Sequence, residues 1–267
     1  MRKIIGIMSS KGGLGKSTIS ANLAHIIAKN GFKTLLIDGD ILLPNLDVIL
    51  KINPSKTTLD FLSNEAKFSE LITKITGNFS AIFNQSGDKI LEHLDAFDEY
   101  KKAIESIEDY EFVVIDMPNC LLNNHLYEIC DEIVLICAPE PAAIVNCYSM
   151  IKALSKTHKS ISVILNFVKN ENEAKNIYKN LEKVISSNLA SDLDLTFLGQ
   201  IKRSNFISQC SKKRQLVTKA FSKTNADFNI KSITSNLLVK FNKAPLNLDG
   251  FKGLSGVLRS MSEKLKD

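Results

Sequence analysis

Ser10-Lys11-Gly12-Gly13-Leu14-Gly15-Lys16-Ser17-Thr18 is a glycine-rich turn from which the architecture of the chain can be worked out. It follows the apolar run Lys3-Ile4-Ile5-Gly6-Ile7-Met8, which predicts a strand, and it opens an apolar-periodic segment that predicts a helix near 16–30. A glycine-rich turn between a strand and a helix is the setting in which backbone N–H groups cradle phosphate oxygens. Glycine adopts positive φ and lets the backbone come close to an anion. The helix start adds unpaired N–H groups and the positive end of the helix dipole. On this reading Gly12, Gly13, Leu14 and Gly15 form the cradle. Lys16 reaches the β- and γ-phosphates, the Ser17 hydroxyl ligates Mg2+, and Thr18 lies near the α-phosphate.

Outward from that loop, apolar runs alternate with helical patterns. Strands are predicted at 3–9, 34–38, 79–83, 112–116, 132–137, 160–167 and 195–201, and helices near 16–30, 89–107, 142–156 and 170–187. Runs such as Phe112-Val113-Val114-Ile115-Asp116 are nearly continuous in aliphatic residues, as strands covered on both faces of a parallel sheet must be. The β–α alternation predicts an α/β fold: a doubly wound, mostly parallel sheet with helices on both faces. Two acidic strand ends fall at the edge where such sheets bind ligands, Asp38-Gly39-Asp40 and Asp116.

Composition narrows the class. The 267 residues are 44% hydrophobic and 24% charged, a globular balance, and no apolar run reaches the roughly eighteen residues of a membrane span. The N-terminal run lacks a small-residue cleavage pattern, so a cytoplasmic location is expected. Five cysteines without a C-x-x-C pair argue against zinc, iron–sulfur or dithiol chemistry and predict buried reduced thiols. From residue 201 onward fourteen Lys or Arg stand against four Asp or Glu, which suggests an anionic partner, membrane or DNA, beside the plainer reading of a solvated lysine-rich surface.

The loop departs from G-x-x-x-x-G-K-[ST] in having Ser10 at the first glycine and an added Lys11. In this the chain resembles the deviant Walker A ATPases, the MinD, ParA and FlhG relatives among the P-loop NTPases. The resemblance implies ATP and Mg2+ as ligands and a homodimer closed by ATP, with Lys11 reaching the partner subunit's phosphates. It assigns Lys11, Lys16 and Asp40 to catalysis, Asp40 orienting the attacking water. Asp38 becomes a supporting carboxylate near the metal or water, and Asp116 holds a metal-bound water. Asn166, at the end of Ile164-Leu165-Asn166, corresponds to the residue that reads the adenine edge; no Asn-Lys-x-Asp guanine motif is present. Relatives carry a small pair after Asp-x-Pro, where this chain has Asn119-Cys120, which places the usual switch contact to the γ-phosphate in question. Lys202 stands where relatives have proline.

Pro139-Glu140-Pro141, Tyr148 with Ile151-Lys152-Ala153-Leu154, Leu59-Asp60-Phe61-Leu62 and Ser86-Gly87 are similar to FlhG-type stretches. That subgroup implies a slow, partner-stimulated ATPase that regulates flagellar number or placement, or polar localisation. It also implies an FlhF-type GTPase and flagellar switch proteins as partners, at the membrane's inner face or the cell pole. Two other readings stand beside it. One is a ParA-like partition ATPase binding DNA through Lys202, Arg203, Lys212, Lys213, Arg214 and Lys219. The other is a nucleotide-binding scaffold with negligible turnover. The expected organisation is an ATPase domain over 1–242, including a helix near 226–242, then a linker at 243–250 and an amphipathic helix at 251–267. In that helix Phe251, Leu254, Val257, Leu258, Met261 and Leu265 face an anionic membrane or the domain itself.

Overall fold

The computed structural model describes residues 2–41, 43–85, 92–93, 95–119, 125–189, 192–221 and 224–248, without the side chains of Phe206, Ser208 and Ser211. The 251–267 stripe, Ser86-Gly87, Cys120 and part of the helix expected at 89–107 lie outside the described residues.

Eight strands form one sheet: β1 (Lys3–Ser9), β2 (Thr34–Asp38), β3 (Thr73–Lys74), β4 (Phe79–Ile82), β5 (Phe112–Asp116), β6 (Glu132–Cys137), β7 (Ser160–Val168) and β8 (Asp194–Lys202). Their order is β3-β4-β2-β5-β1-β6-β7-β8, and only β3 runs antiparallel. The sheet carries α1 (Lys16–Lys29), α2 (Leu46–Leu50), α3 (Thr58–Leu62), α4 (Phe97–Glu105), α5 (Pro141–Leu154), α6 (Glu171–Asn188), α7 (Asn205–Lys213), α8 (Val217–Ala220) and α9 (Asn225–Lys240). The chain steps one way along the sheet after β1 and the other way after β4, β6 and β7. With right-handed crossovers this puts α1 on one face and α4, α5 and α6 on the other. α9 returns to pack on α1 and β8.

The expected strands are present within a residue or so of their predicted ends. β2, β5 and β6 are buried at every position, which is why they read as unbroken apolar runs. Of the helix expected at 89–107, the described residues form a helix over Phe97–Glu105. β3, α2, α3, α7 and α8 were not expected from the sequence. β3, α2, α3 and α8 span only two to five residues, too few to show a periodic face. α3 starts at a capping box in which Thr57 N–H donates to Asp60 at 2.7 Å.

Beyond α9, residues 243–248 hold neither helix nor strand. They follow the domain surface: Leu246 N–H donates to Ser235 Oγ at 3.0 Å, and Lys243 lies over the Phe32 ring and 3.7 Å from Glu111. Cys130, Cys137, Cys147 and Cys210 are buried free thiols.

Candidate functional site

β1 is central, flanked by β5 and β6 in parallel register, and the loop leaves its C-terminal end. Crossovers diverge there, so the helices on either side leave a crevice above the strand ends. Lys3 pairs with Phe112 and Ile7 with Asp116, while Asp38 pairs with Asp116 across β2 and β5. This register brings the tips of β1, β2 and β5 to one level. Gly39 N–H then donates to Asp116 O and Met117 N–H to Ile7 O, both at 2.9 Å, carrying the ladder past the last strand residues.

Gly13 and Gly15 both have φ of 80°, the left-handed region that a side chain resists. They turn the loop so that α1 begins at Lys16 with Gly15 as its N-cap. No described residue accepts a hydrogen bond from the N–H groups of Gly12, Gly13, Leu14 or Gly15. These donors therefore stand open at the mouth of the loop, as an anion site requires. Leu14 is turned inward and buried in the core.

Lys16 is 7% exposed, and its Nζ lies 3.1 Å from Asp116 Oδ1 and 3.9 Å from Asp40 Oδ2. Neither contact is aligned as a hydrogen bond, so the buried ammonium has ion-pair neighbours but no aligned acceptor among the described residues. A buried ammonium with unused donors fits a phosphate-binding role. Asp116 also accepts from Ser20 Oγ at 2.8 Å, one turn along α1 from Lys16.

Asp38, 1% exposed, accepts from the N–H groups of Asn45 and Leu46 at 3.0 Å each and so shapes the turn into α2. Burial pushes its pKa up to about 8, and the neighbouring Asp116 charge adds to this. The Leu46 and Asn45 N–H groups and Lys16 oppose it. Asp40 accepts from Leu43 N–H at 3.1 Å, and Asn84 Nδ2 reaches Asp40 O at 3.5 Å. Ser17 and Thr18 are half-buried in the first turn of α1.

The donors near the crevice are hard oxygens: the Ser17 hydroxyl and the carboxylates of Asp38, Asp40 and Asp116. Among the described residues no group of three His, Cys, Asp or Glu side chains is spaced to hold a metal alone. That fits Mg2+, which is held by one or two protein oxygens together with substrate phosphates and water.

Lys11 does not join the buried set. It is 52% exposed and paired at 3.1 Å with Glu140, which precedes α5 and is itself 54% exposed. Asn166 is brought to the loop but not as a free base reader. It is buried, its Nδ2 donates to Leu14 O at 2.8 Å, and its Oδ1 accepts from Phe167 N–H at 2.9 Å. Ser9, Ser20 and Asn84 are site neighbours that sequence reasoning passed over. Only Ser20, one helical turn from Lys16, left a legible signal.

The comparisons agree with this geometry. The family model described as the CobQ/CobB/MinD/ParA nucleotide binding domain matches residues 5–217. The flagellum site-determining protein YlxH of Helicobacter pylori is 34% identical over 222 residues, spanning 81% of this chain and 75% of that protein. The antiactivator FleN of Pseudomonas aeruginosa is 25% identical over 243 residues, 88% of this chain and 86% of that one. Among solved structures, the cell division ATPase MinD of Pyrococcus furiosus superposes with a TM-score of 0.77 at 22% identity, over 90% of this chain and all of that one, a likeness of fold. With the glycine loop, its buried lysine and the acidic strand tips all inside the matched span, the chain belongs to the CobQ/CobB/MinD/ParA family of nucleotide-binding domains.

Proposed function

We propose that this chain is an ATP-hydrolysing dimerisation switch of the MinD/ParA type that regulates flagellar number or placement. The observation that carries the reading is the buried Lys16 ammonium between Asp116 and Asp40, beneath a loop of open N–H donors. The flagellar assignment rests on the name of one relative, the flagellum site-determining protein.

In the proposed mechanism the loop N–H groups and Lys16 hold the phosphates of ATP. Mg2+, when bound, offsets phosphate charge; Ser17 would hold it directly, with Asp38 and Asp116 behind it. Asp40 aligns a water with the γ-phosphorus, and as that bond forms the bond to the bridging oxygen breaks and ADP leaves. Lys16 supports the charge that develops, and Lys11 of the partner copy adds a second cation.

Lys11 is poised for that role. Its pair with Glu140 is half-exposed and worth about 1 kcal/mol or less, so a stronger charge-assisted contact with phosphate displaces it. Asn166 acts from the side of the base, and its bond to Leu14 O couples that side to the loop. Turnover is slow and stimulated by a partner, an FlhF-type GTPase or flagellar switch protein. The 251–267 segment docks on anionic membrane when two copies present it together.

Sedimentation with Mg2+ and a non-hydrolysable ATP analogue tests the switch. Wild type should dimerise, and Lys11→Ala should stay monomeric while binding nucleotide almost normally; a persisting Lys11→Ala dimer refutes the crossing lysine. Phosphate release should fall in Asp40→Ala, and equal near-zero rates in both proteins would favour a scaffold. ATP-dependent pelleting with anionic vesicles is expected, and binding to DNA alone would overturn the membrane assignment.

A further inference from the structure

We propose that the cleft between α1, α8 and the β3–β4 turn is a second anion site, which takes a small phosphate-bearing ligand on Lys29, Lys219 and His25. It stands apart from the nucleotide crevice, since His25 lies about 13 Å beyond Lys16 along the axis of α1.

The sequence builds the cleft from three elements. His25 and Lys29 are one helical turn apart, so they share a face at the end of α1, where a cation also suits the helix dipole. The buried side chains of Leu216 and Val217 pin α8 to the core, with Thr218 bonded to α1 and Lys219 exposed beside it. Thr76 comes from the turn before β4, held there by its N–H bond to Phe79 O at 2.9 Å. These residues line a volume of about 410 Å³, the size of a small-ligand site. Among the described residues no carboxylate lines the cleft and neither lysine has an ion-pair partner.

Hydrogen bonds set the state of His25. The Asn22 amide is oriented by two partners: Nδ2 donates to Thr18 O at 2.7 Å, and Oδ1 accepts from Thr218 N–H at 3.1 Å. Thr218 Oγ lies 3.1 Å from that same Oδ1, which only accepts, and 3.1 Å from His25 Nδ1. Both contacts are satisfied at once only when the hydroxyl donates to Asn22 and accepts from Nδ1–H. Nε2 is then the nitrogen that gains or loses the second proton, and it has no partner among the described residues. Burial, then Lys29 and Lys219, hold the imidazole's pKa below 6.5. Thr76, and Phe79 with its ring edge-on at 6.2 Å, bring no charge to it.

Two ammonium groups and an imidazole that resists protonation thus converge on one space. A dianion there offsets both lysines and favours the imidazolium, which turns Nε2 into a third donor. A phosphate group supplies that charge and enough oxygens for three donors, whereas a carboxylate brings one charge and two oxygens.

Imidazole NMR tests the site, with the His25 signal assigned among the four histidines by His25→Gln. Sulfate is the probe because it stays a dianion over the whole range, so its pH dependence reports His25. The His25 titration should move upward with sulfate, which should bind about tenfold tighter near pH 5.5 than near pH 8. Lys29→Gln and Lys219→Gln keep most of each stem and should each weaken sulfate about tenfold, and the double variant should not respond. Both lysines are exposed, so urea midpoints should stay unchanged. Lys16→Ala should leave the His25 response intact, which separates this site from the glycine loop and from the outcome of nucleotide binding there. Glycerol 3-phosphate and phosphatidylcholine vesicles carrying phosphatidic acid then distinguish the ligand's source. A free ligand is supported when the soluble ester moves the His25 signal and vesicle capture is equal in wild type and double variant; a lipid head group is supported when capture falls in the double variant.

A His25 signal indifferent to sulfate, moved equally by sodium chloride at matched ionic strength, or moved equally in the double variant overturns the site. Duplex DNA held through the same lysines with sulfate silent would make this surface a DNA contact instead.

Discussion

Alanine at Gly15 should destabilise the unliganded protein by about 2–3 kcal/mol, roughly 1 kcal/mol more than alanine at Gly13. Both glycines have φ of 80°, and forcing an L side chain into that region costs about 1–2 kcal/mol at either position. The surroundings then separate them. A Cβ on Gly13 meets nothing within 4 Å, whereas one on Gly15 falls 3.1 Å from Asn166 Nδ2. That nitrogen is not free to retreat, because it donates to Leu14 O at 2.8 Å. Moving it sacrifices a hydrogen bond worth about 0.5–1.5 kcal/mol. Urea unfolding followed by circular dichroism, without nucleotide, measures both variants, and the slopes should match so that midpoints report stability. Repeating Gly15→Ala in an Asn166→Ala background should remove the excess and leave the Gly13 value. Equal costs at the two glycines in the wild-type background would refute the idea that Asn166 buttresses the loop.

Other outcomes follow from the same structure. Lys240 lies 3.1 Å from Glu132, which is 1% exposed at the foot of β6 and also accepts from Ser160 and Ser162, so Lys240→Met should cost about 3–5 kcal/mol in urea unfolding by stranding a buried charge. Adding Glu132→Gln should restore part of it; no restoration would mean that lost packing, not charge, is the cause. His25 has its pKa lowered below 6.5 by burial and then by Lys29 and Lys219. The unfolded chain therefore takes the proton first, and the stability this neutral histidine confers is intact above pH 6.5 and lost as pH falls below it. His25→Gln should flatten the decline in stability between about pH 7 and 5, and parallel curves would count against it. Glu140→Gln frees Lys11 from a half-exposed pair, so the dissociation constant of the proposed ATP-bound dimer, measured by sedimentation, should tighten by less than about fivefold; abolition of the dimer would give Glu140 a role beyond holding Lys11.

The parallel core was open to reading because burial on both faces leaves a mark that composition alone reveals. Phe112-Val113-Val114-Ile115-Asp116 is strand β5 residue for residue. The site was legible wherever local chemistry is obligatory: glycines that must reach positive φ, a lysine at a helix start, acids at strand ends. β3 escaped because two residues at an antiparallel edge carry no periodicity, although the Thr57-x-x-Asp60 box before α3 was a signal there to be used. Contacts between residues far apart in sequence were beyond reach. Nothing local in Asn119 announces Ser9, nothing in Lys11 announces Glu140, and the end of a strand does not say that the Asn166 amide is committed to Leu14.

The placement of β1 also bears on how the chain matures on the ribosome. The strand that launches the loop is walled by β5 and β6, so Lys3 waits for Phe112 and Ile5 for Glu132 before either can pair. A nascent polypeptide that has emerged only as far as β4 has every glycine of the cradle and none of its walls. Ligand stabilises only the state that binds it, so cellular ATP gives such an intermediate no protection. Until Cys137 has been released, β1 lacks one of its two neighbours, and nucleotide does not shield those apolar strands from other partners.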